Sequence, residues 1–210
     1  MPRVDDFLNA LKLAREILPE REPATLCRNA GADLRFLPEG GMVIILPFFL
    51  RRVEITYPGG VITYEGGADA PSLQEQGLFL HYLLGACDIP PTRDLITFRE
   101  TPGGEFYYQP FVNRALIPLV NSFASNPALF LKAGLNAGGK EAGLGDASLT
   151  LRPLPKTPVT LVLWQGDEEF PPTGNILFDA NIKRFLAGED IAFLAGTVVY
   201  KLMALAAHER

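Results

Sequence analysis

Of the two histidines in the chain, only one stands where an imidazole could do chemistry. His208 falls among the last three residues, where helices fray. His81 lies inside GLFLHYLLGAC, with apolar neighbours on both sides. Helical spacing puts it on a stripe with Gln74, Leu78 and Gly85. The axial position of a haem or corrinoid metal needs one imidazole on a rigid helix, an apolar pocket and a small residue one turn away. Gly77 and Gly85, four residues to either side, supply the small residues. The same residues suit a half-buried core histidine and close helix packing, so both readings stay open. The candidate cofactor contacts are His81, as metal ligand, with Tyr82, Arg99 and Trp164.

Two further clusters carry charge. TFRETPGGEFYYQP sets Arg99, Glu100, Glu105, Tyr107 and Tyr108 about a tight turn. Arg99 has the planar fork that clamps a ligand carboxylate. An Arg–Glu dipeptide ahead of a hairpin equally forms a surface ion pair. WQGDEEFPP ends an apolar strand at Trp164 and follows it with Asp167, Glu168 and Glu169. Consecutive acids bind a hard cation or hold a proton. The Asx and glycine spacing of a calcium loop is missing, so a solvated turn is the plainer reading. Trp164 follows VTLVL and is expected to be largely buried. Asn175 and Asp179, in NILFD, fit turn and cap roles.

Other chemistries find no motif. Neither G-x-G-x-x-G after a strand nor G-x-x-x-x-G-K-[ST] occurs, and the glycine-rich GGKEAGLGDAS follows a helix. No G-x-S-x-G elbow and no H-E-x-x-H occur. Cys27 and Cys87 are the only cysteines and are far apart. They read as structural thiols, and the chain alone lacks the four thiolates of an iron–sulfur cluster.

The elements that must position these residues follow from periodicity and punctuation. Residues 3–18 read as an amphipathic helix with Val4, Phe7, Leu8, Leu11 and Ile17 near one face, stopped by Pro19. A short helix runs from Pro23 to Ala30, with Gly31 as its left-handed cap. Residues 32–65 read as a β-meander, in which Val53, Ile55 and Tyr57 alternate with polar neighbours. Ser72 and Glu75 form a capping box for a helix to Ala86, with Leu73, Gly77, Leu80 and Leu84 as its buried stripe. LITFRE reads as a strand before the Pro102–Gly104 turn. Helices are expected over Phe111–Phe123 and Pro127–Ala137, the second capped by Asn126. ASLTLRPLP and PVTLVLWQG are strands, the second apolar enough to be central. NILFDANIKRFL mixes a short strand or turn with a helix, and Glu189 and Asp190 open a final helix apolar nearly all round.

Early strands, late strands and helices between them predict an α+β fold with mainly antiparallel sheets and about five to seven helices. One domain over 1–210 is expected, its helical segment 1–31 packed on a β-containing body. With 210 residues, 48% hydrophobic and 20% charged, the chain is long and apolar enough for its own core. A net charge of -5 argues against binding a phosphate backbone, so no nucleic-acid partner is expected. No signal-peptide core opens the sequence, and MVIILPFFL and IAFLAGTVVY are shorter than the about 20 residues of a spanning helix. A cytoplasmic protein without a membrane partner is expected.

Several strings point further. Leu46 to Arg51 in LPFF-x-R, then VEITYPGG, LHYLLGA, ITFRETPGGEFY and LVLWQGDEEFPPTGNILFD resemble the family called domain of unknown function (DUF) 3786, over about residues 26–203. The resemblance implies an anaerobic setting near corrinoid, haem or one-carbon chemistry. Some members carry an attached cysteine-rich iron–sulfur module like that of corrinoid iron–sulfur proteins. This chain departs from that pattern, so an iron–sulfur or corrinoid redox protein is the implied partner. The expected function is therefore a haem- or corrinoid-binding, or redox accessory, module. The alternatives are an interaction protein docking on a larger redox complex, and an acidic-site, metal-assisted hydrolase using Asp167, Glu168 and Arg99.

Overall fold

The computed structural model describes residues 4–67 and 70–208. They fall into two compact units. The first comprises the described residues up to Pro90, with Leu154–Lys156 and Arg184–Leu186. The second comprises Pro91–Pro153, Thr157–Lys183 and the described residues from Ala187. The architecture is α+β, with an early meander and late strands in two separate antiparallel sheets.

The first unit opens with α1 (Val4–Ile17) and α2 (Pro23–Ala30). Arg3, the expected start of α1, lies outside the described residues. The buried stripe of α1 is Leu11 and Ala14, whereas Val4, Leu8 and Ile17 face solvent. The buried face therefore keeps Leu11 of the expected residues and adds Ala14, and α1 packs on α3. The Glu22 carboxylate caps α2 by accepting from the Ala24 and Thr25 N–H groups at 2.9 and 2.5 Å. Gly31, at φ 69°, closes it.

The meander is β1 (Asp33–Phe36), β2 (Met42–Phe48), β3 (Arg51–Tyr57) and β4 (Ile62–Tyr64), in that spatial order. Ile44 pairs with Ile55 and Leu46 with Val53, and all four are buried. Arg52 and Glu54 alternate with them on the polar face. Helix α3 (Leu73–Gly85) begins at the expected Ser72–Glu75 capping box. Its buried residues are Leu78, Phe79, Leu80, Tyr82 and Leu83. Of the expected stripe only Leu80 is fully buried; Leu73, Gly77 and Leu84 are half-buried.

Tyr82 gathers the first unit. Its ring is fully buried and stacks on Phe185, with centroids 5.7 Å apart. Its hydroxyl donates to the Ala30 carbonyl at 2.8 Å and accepts from the Lys156 N–H at 3.1 Å. Burial pushes the phenol pKa well above its usual range, so it stays a donor.

The second unit holds β5 (Leu95–Thr97), α4 (Gly104–Phe111), α5 (Ile117–Phe123), α6 (Pro127–Asn136), β6 (Lys140–Glu141), β7 (Ala147–Leu154, its last residue in the first unit), β8 (Thr157–Trp164), β9 (Thr173–Asp179) and α7 (Gly188–Ala207). The strand order is β5-β9-β8-β7-β6, so the apolar β8 is central, as its composition demands. EFYYQP, expected to follow a hairpin turn, is instead the body of α4. A Cβ at Gly104 would lie 2.2 Å from the Phe98 carbonyl oxygen, so glycine there lets the helix start tight against the preceding turn. Between α4 and α5 one π-turn spans Val112–Leu116, with the Ile117 N–H bonded to the Val112 carbonyl. Pro118 cannot donate to the Arg114 carbonyl, and Gly196 of α7 packs beside that group.

Helix α7 has 20 residues and a mean hydropathy of 1.6, enough by length and composition to cross a bilayer. Half of that window is buried. Ile191, Leu194, Ala195, Val198, Val199 and Leu202 are covered, and α7 packs on α4, α5 and α6, which makes it the core helix of this unit.

Tyr82→Phe leaves the Ala30 carbonyl and the Lys156 N–H without their partner while sparing the ring. It should cost about 1–3 kcal/mol. Urea unfolding is the measurement; the midpoint should fall with an unchanged slope. An unchanged midpoint would mean the hydroxyl holds nothing.

Candidate functional site

The most distinctive surface of the second unit is the loop closed by the Trp164–Thr173 pair of β8 and β9. Every β8 residue except Pro158 and Trp164 is buried. Trp164, expected to be largely buried, is 41% exposed. It is the last residue of the strand, and the covering layer ends at Leu163. One part of the indole rests near Gly145 of the neighbouring loop. Phe170, in the same loop, is 66% exposed.

The loop is held from within. The Asp167 N–H donates to the Phe170 carbonyl at 2.9 Å, and Asp167 Oδ1 accepts from the Glu169 and Phe170 N–H groups at 2.9 and 2.8 Å. Gly166 takes φ 76°, and a Cβ there would lie 2.5 Å from the Phe170 carbonyl oxygen, so only glycine closes the turn. Across the loop's base the Gln165 N–H donates to Asp146 Oδ2 at 2.8 Å, and the Asp146 N–H donates to the Leu163 carbonyl. GGKEAGLGDAS thus forms β6 and a brace for this loop. Glu168 and Glu169 stand exposed.

On α3, His81 is half-buried and belongs to the first unit. The space a Cβ would take at Gly77 is open, with no atom beyond its own helical backbone and chain neighbours within 4 Å, so a notch adjoins His81 one turn before it. At Gly85 the same position lies 2.4 Å from the Phe185 carbonyl oxygen, so that glycine serves close packing. Tyr82 is occupied on ring and hydroxyl, as described above. Of the two candidate contacts on α3, His81 is the one with open space beside it. Any room for a macrocycle beside His81 lies on the Gly77 side, because the Gly85 side is packed on Phe185.

Arg99 and Trp164 belong to the second unit. Thr97 of β5 shares a row with Leu177 and Thr160, and Trp164 lies four residues further along β8, ~13 Å by strand geometry. Arg99 leaves β5 on a short 3-10 turn, Phe98–Glu100, capped through Thr97 and Glu100. It pairs with Glu105 at 2.5 Å and stacks over Tyr108 at 3.7 Å. The expected surface ion pair is present, with Glu105 and not Glu100 as partner.

Asp179 is a carboxylate with a structural role larger than its turn and cap reading. It is buried, at 3% exposure. It accepts from the Thr92 N–H, the Thr92 hydroxyl, the Arg93 N–H and the Asn181 N–H, all at 2.8–3.0 Å. Burial acts to raise its pKa, but the Asn181, Thr92 and Arg93 N–H bonds outweigh that and hold the carboxyl below its ordinary value. The bond to Asn181 is a local Asx turn; the clamp on Thr92 and Arg93 is long-range and leaves no local signal. Cys27 is buried, and burial pushes its thiol up to about 11. Among the described residues no three His, Cys, Asp or Glu side chains converge as metal ligands.

The family model of Domain of unknown function (DUF3786) matches residues 22–201, and the chain belongs to that family. No curated protein and no solved structure matches it.

Asp179 sets a pH dependence. Its folded pKa lies below the unfolded value of about 3.9, so its contribution is complete above that value and is lost as pH falls through the folded pKa. Wild type should therefore lose stability below about pH 4 more steeply than Asp179→Ala, which should already be destabilised at pH 7. Thermal melts of both proteins across pH 2–7 are the check; parallel curves would refute the clamp.

Proposed function

We propose that this protein is a non-enzymatic docking module that engages a partner through the loop joining Trp164 to Thr173. The observation that carries this reading is two large rings standing in solvent on a loop braced within itself and at its base. Braced aromatics lose little freedom on association and form the centres of interface hot spots. The titratable groups point the same way. Glu22, Glu100 and Asp179 each bond the chain's own backbone, and Tyr82 bonds Ala30 and Lys156. Catalytic acids and bases instead gather in one cleft. An iron–sulfur or corrinoid redox protein is the partner class that the family resemblance recommends.

Trp164→Ala with Phe170→Ala should lower stability by about 1 kcal/mol or less per ring, against about 3–5 for a core aromatic. A photocrosslinker at Glu168 in the source cells should trap a partner that, once purified, binds wild type and fails to bind the double variant. Equal binding by the double variant refutes the reading.

The open notch at Gly77 favours a second reading, a haem or corrinoid held by His81. The macrocycle would supply redox or ligand-binding chemistry, and the chain the axial nitrogen. Reconstitution with haemin or hydroxocobalamin should then give an absorption band that His81→Ala lacks. Identical spectra for both proteins make His81 a packing residue.

A further inference from the structure

The loop's docking partner has a chemistry of its own, and the inference rests on the docking reading above. We infer that the loop takes an arginine side chain from the partner, stacking its guanidinium on Trp164 or Phe170 and pairing it with Glu168 or Glu169. Charge complementarity fixes the sign. The chain from Thr157 to Ile182 carries Asp167, Glu168, Glu169 and Asp179 and no Lys, Arg or His. Asp179 is buried in its clamp, so the exposed charge of this segment is carried by the loop acids alone. No ion pair within the described residues neutralises Glu168 or Glu169.

The choice of guanidinium over ammonium comes from the rings. A planar guanidinium stacks on an aromatic face and still offers its edge to a carboxylate, whereas an ammonium is a compact, strongly hydrated point charge. This chain builds that full arrangement once from its own residues and the stacking half of it a second time. Arg99 lies 3.7 Å over Tyr108 while paired with Glu105. Arg51 lies 3.8 Å over Tyr64, whose hydroxyl donates to Glu75. The loop presents rings and carboxylates of the same kind without a cation of its own.

Trp164 is the single tryptophan, so its emission reports on this loop alone. Titration of the whole protein with an acetylated, amidated arginine hexapeptide should change that emission saturably. The lysine hexapeptide should bind several-fold more weakly and the glutamate hexapeptide should leave the emission unchanged. Binding should weaken as salt rises from 50 to 300 mM, since exposed pairs are screened. Glu168→Gln with Glu169→Gln should lower affinity about threefold to tenfold, as loss of two exposed pairs predicts, with an unchanged unfolding midpoint. Glu16→Gln, on α1, is the control and should bind as wild type. No saturable change, equal binding of the lysine peptide, or undiminished binding by the Glu168/Glu169 double variant overturns the inference. If the crosslinked partner is still lost with Trp164→Ala and Phe170→Ala, docking stands and only the arginine assignment falls.

Discussion

The first unit is held by one phenol. Its sheet is a local meander, but Leu154–Lys156 and Arg184–Leu186 arrive from far along the chain. Each needs a partner that repays the entropy of bringing it there. Tyr82 provides it from the middle of α3. The hydroxyl uses its donor on the last carbonyl of α2 and an acceptor site on the Lys156 N–H, while the ring stacks on Phe185. A smaller side chain would reach neither segment, and a phenylalanine would leave the buried Ala30 carbonyl and the part-buried Lys156 N–H without this partner. Because the phenol is deep and its pKa raised, the arrangement is indifferent to pH across the physiological range.

The second unit meets the same problem with a carboxylate. Asp179 ends β9 and gathers three backbone N–H groups and one hydroxyl, which fixes the entry to β5 beside it. Arg93 is held at φ 67°, a conformation an L side chain adopts only where its surroundings over-determine it. The Asp179 bond to its N–H is part of that determination. With both neighbours of β9 in place, the opposite end of β8 and β9 is free to carry a loop with no core role.

Much of this was legible because it is local. Capping by Ser72–Glu75 and Asn126, the Gly31 stop, the meander and the centrality of β8 all follow from residues within a few positions of one another. What was misread depends on packing at a distance. EFYYQP has strand-like aromatics, yet Gly104 lets a helix begin against the Phe98 carbonyl, a contact no propensity encodes. The α1 stripe runs through Leu11 and Ala14, because what α1 packs on is set by the rest of the unit and not by its own periodicity. Trp164 follows an unbroken apolar run, but an apolar run does not say where its cover ends. Of the candidate contacts, Tyr82 alone is sealed in the core; Arg99 is committed to Glu105 and Tyr108 at the surface, His81 stands beside a glycine notch, and Trp164 lies past the end of the core.

That last difference bears on what the molecule can do. A strand end that exposes a tryptophan loses the hydrophobic contribution the ring would make inside, about 1.5–3 kcal/mol for a large apolar side chain. The loop adds a second exposed ring, a glycine at φ 76° and an aspartate committed to its turn. None of these serves the core, which is complete at Leu163. Together they keep rings and carboxylates at fixed spacing in water. A surface ordered in advance gives up less entropy on association than a flexible one, so modest contacts yield useful affinity. Under the docking role proposed above, the bracing is what lets association recover part of the stability that the exposed rings forgo.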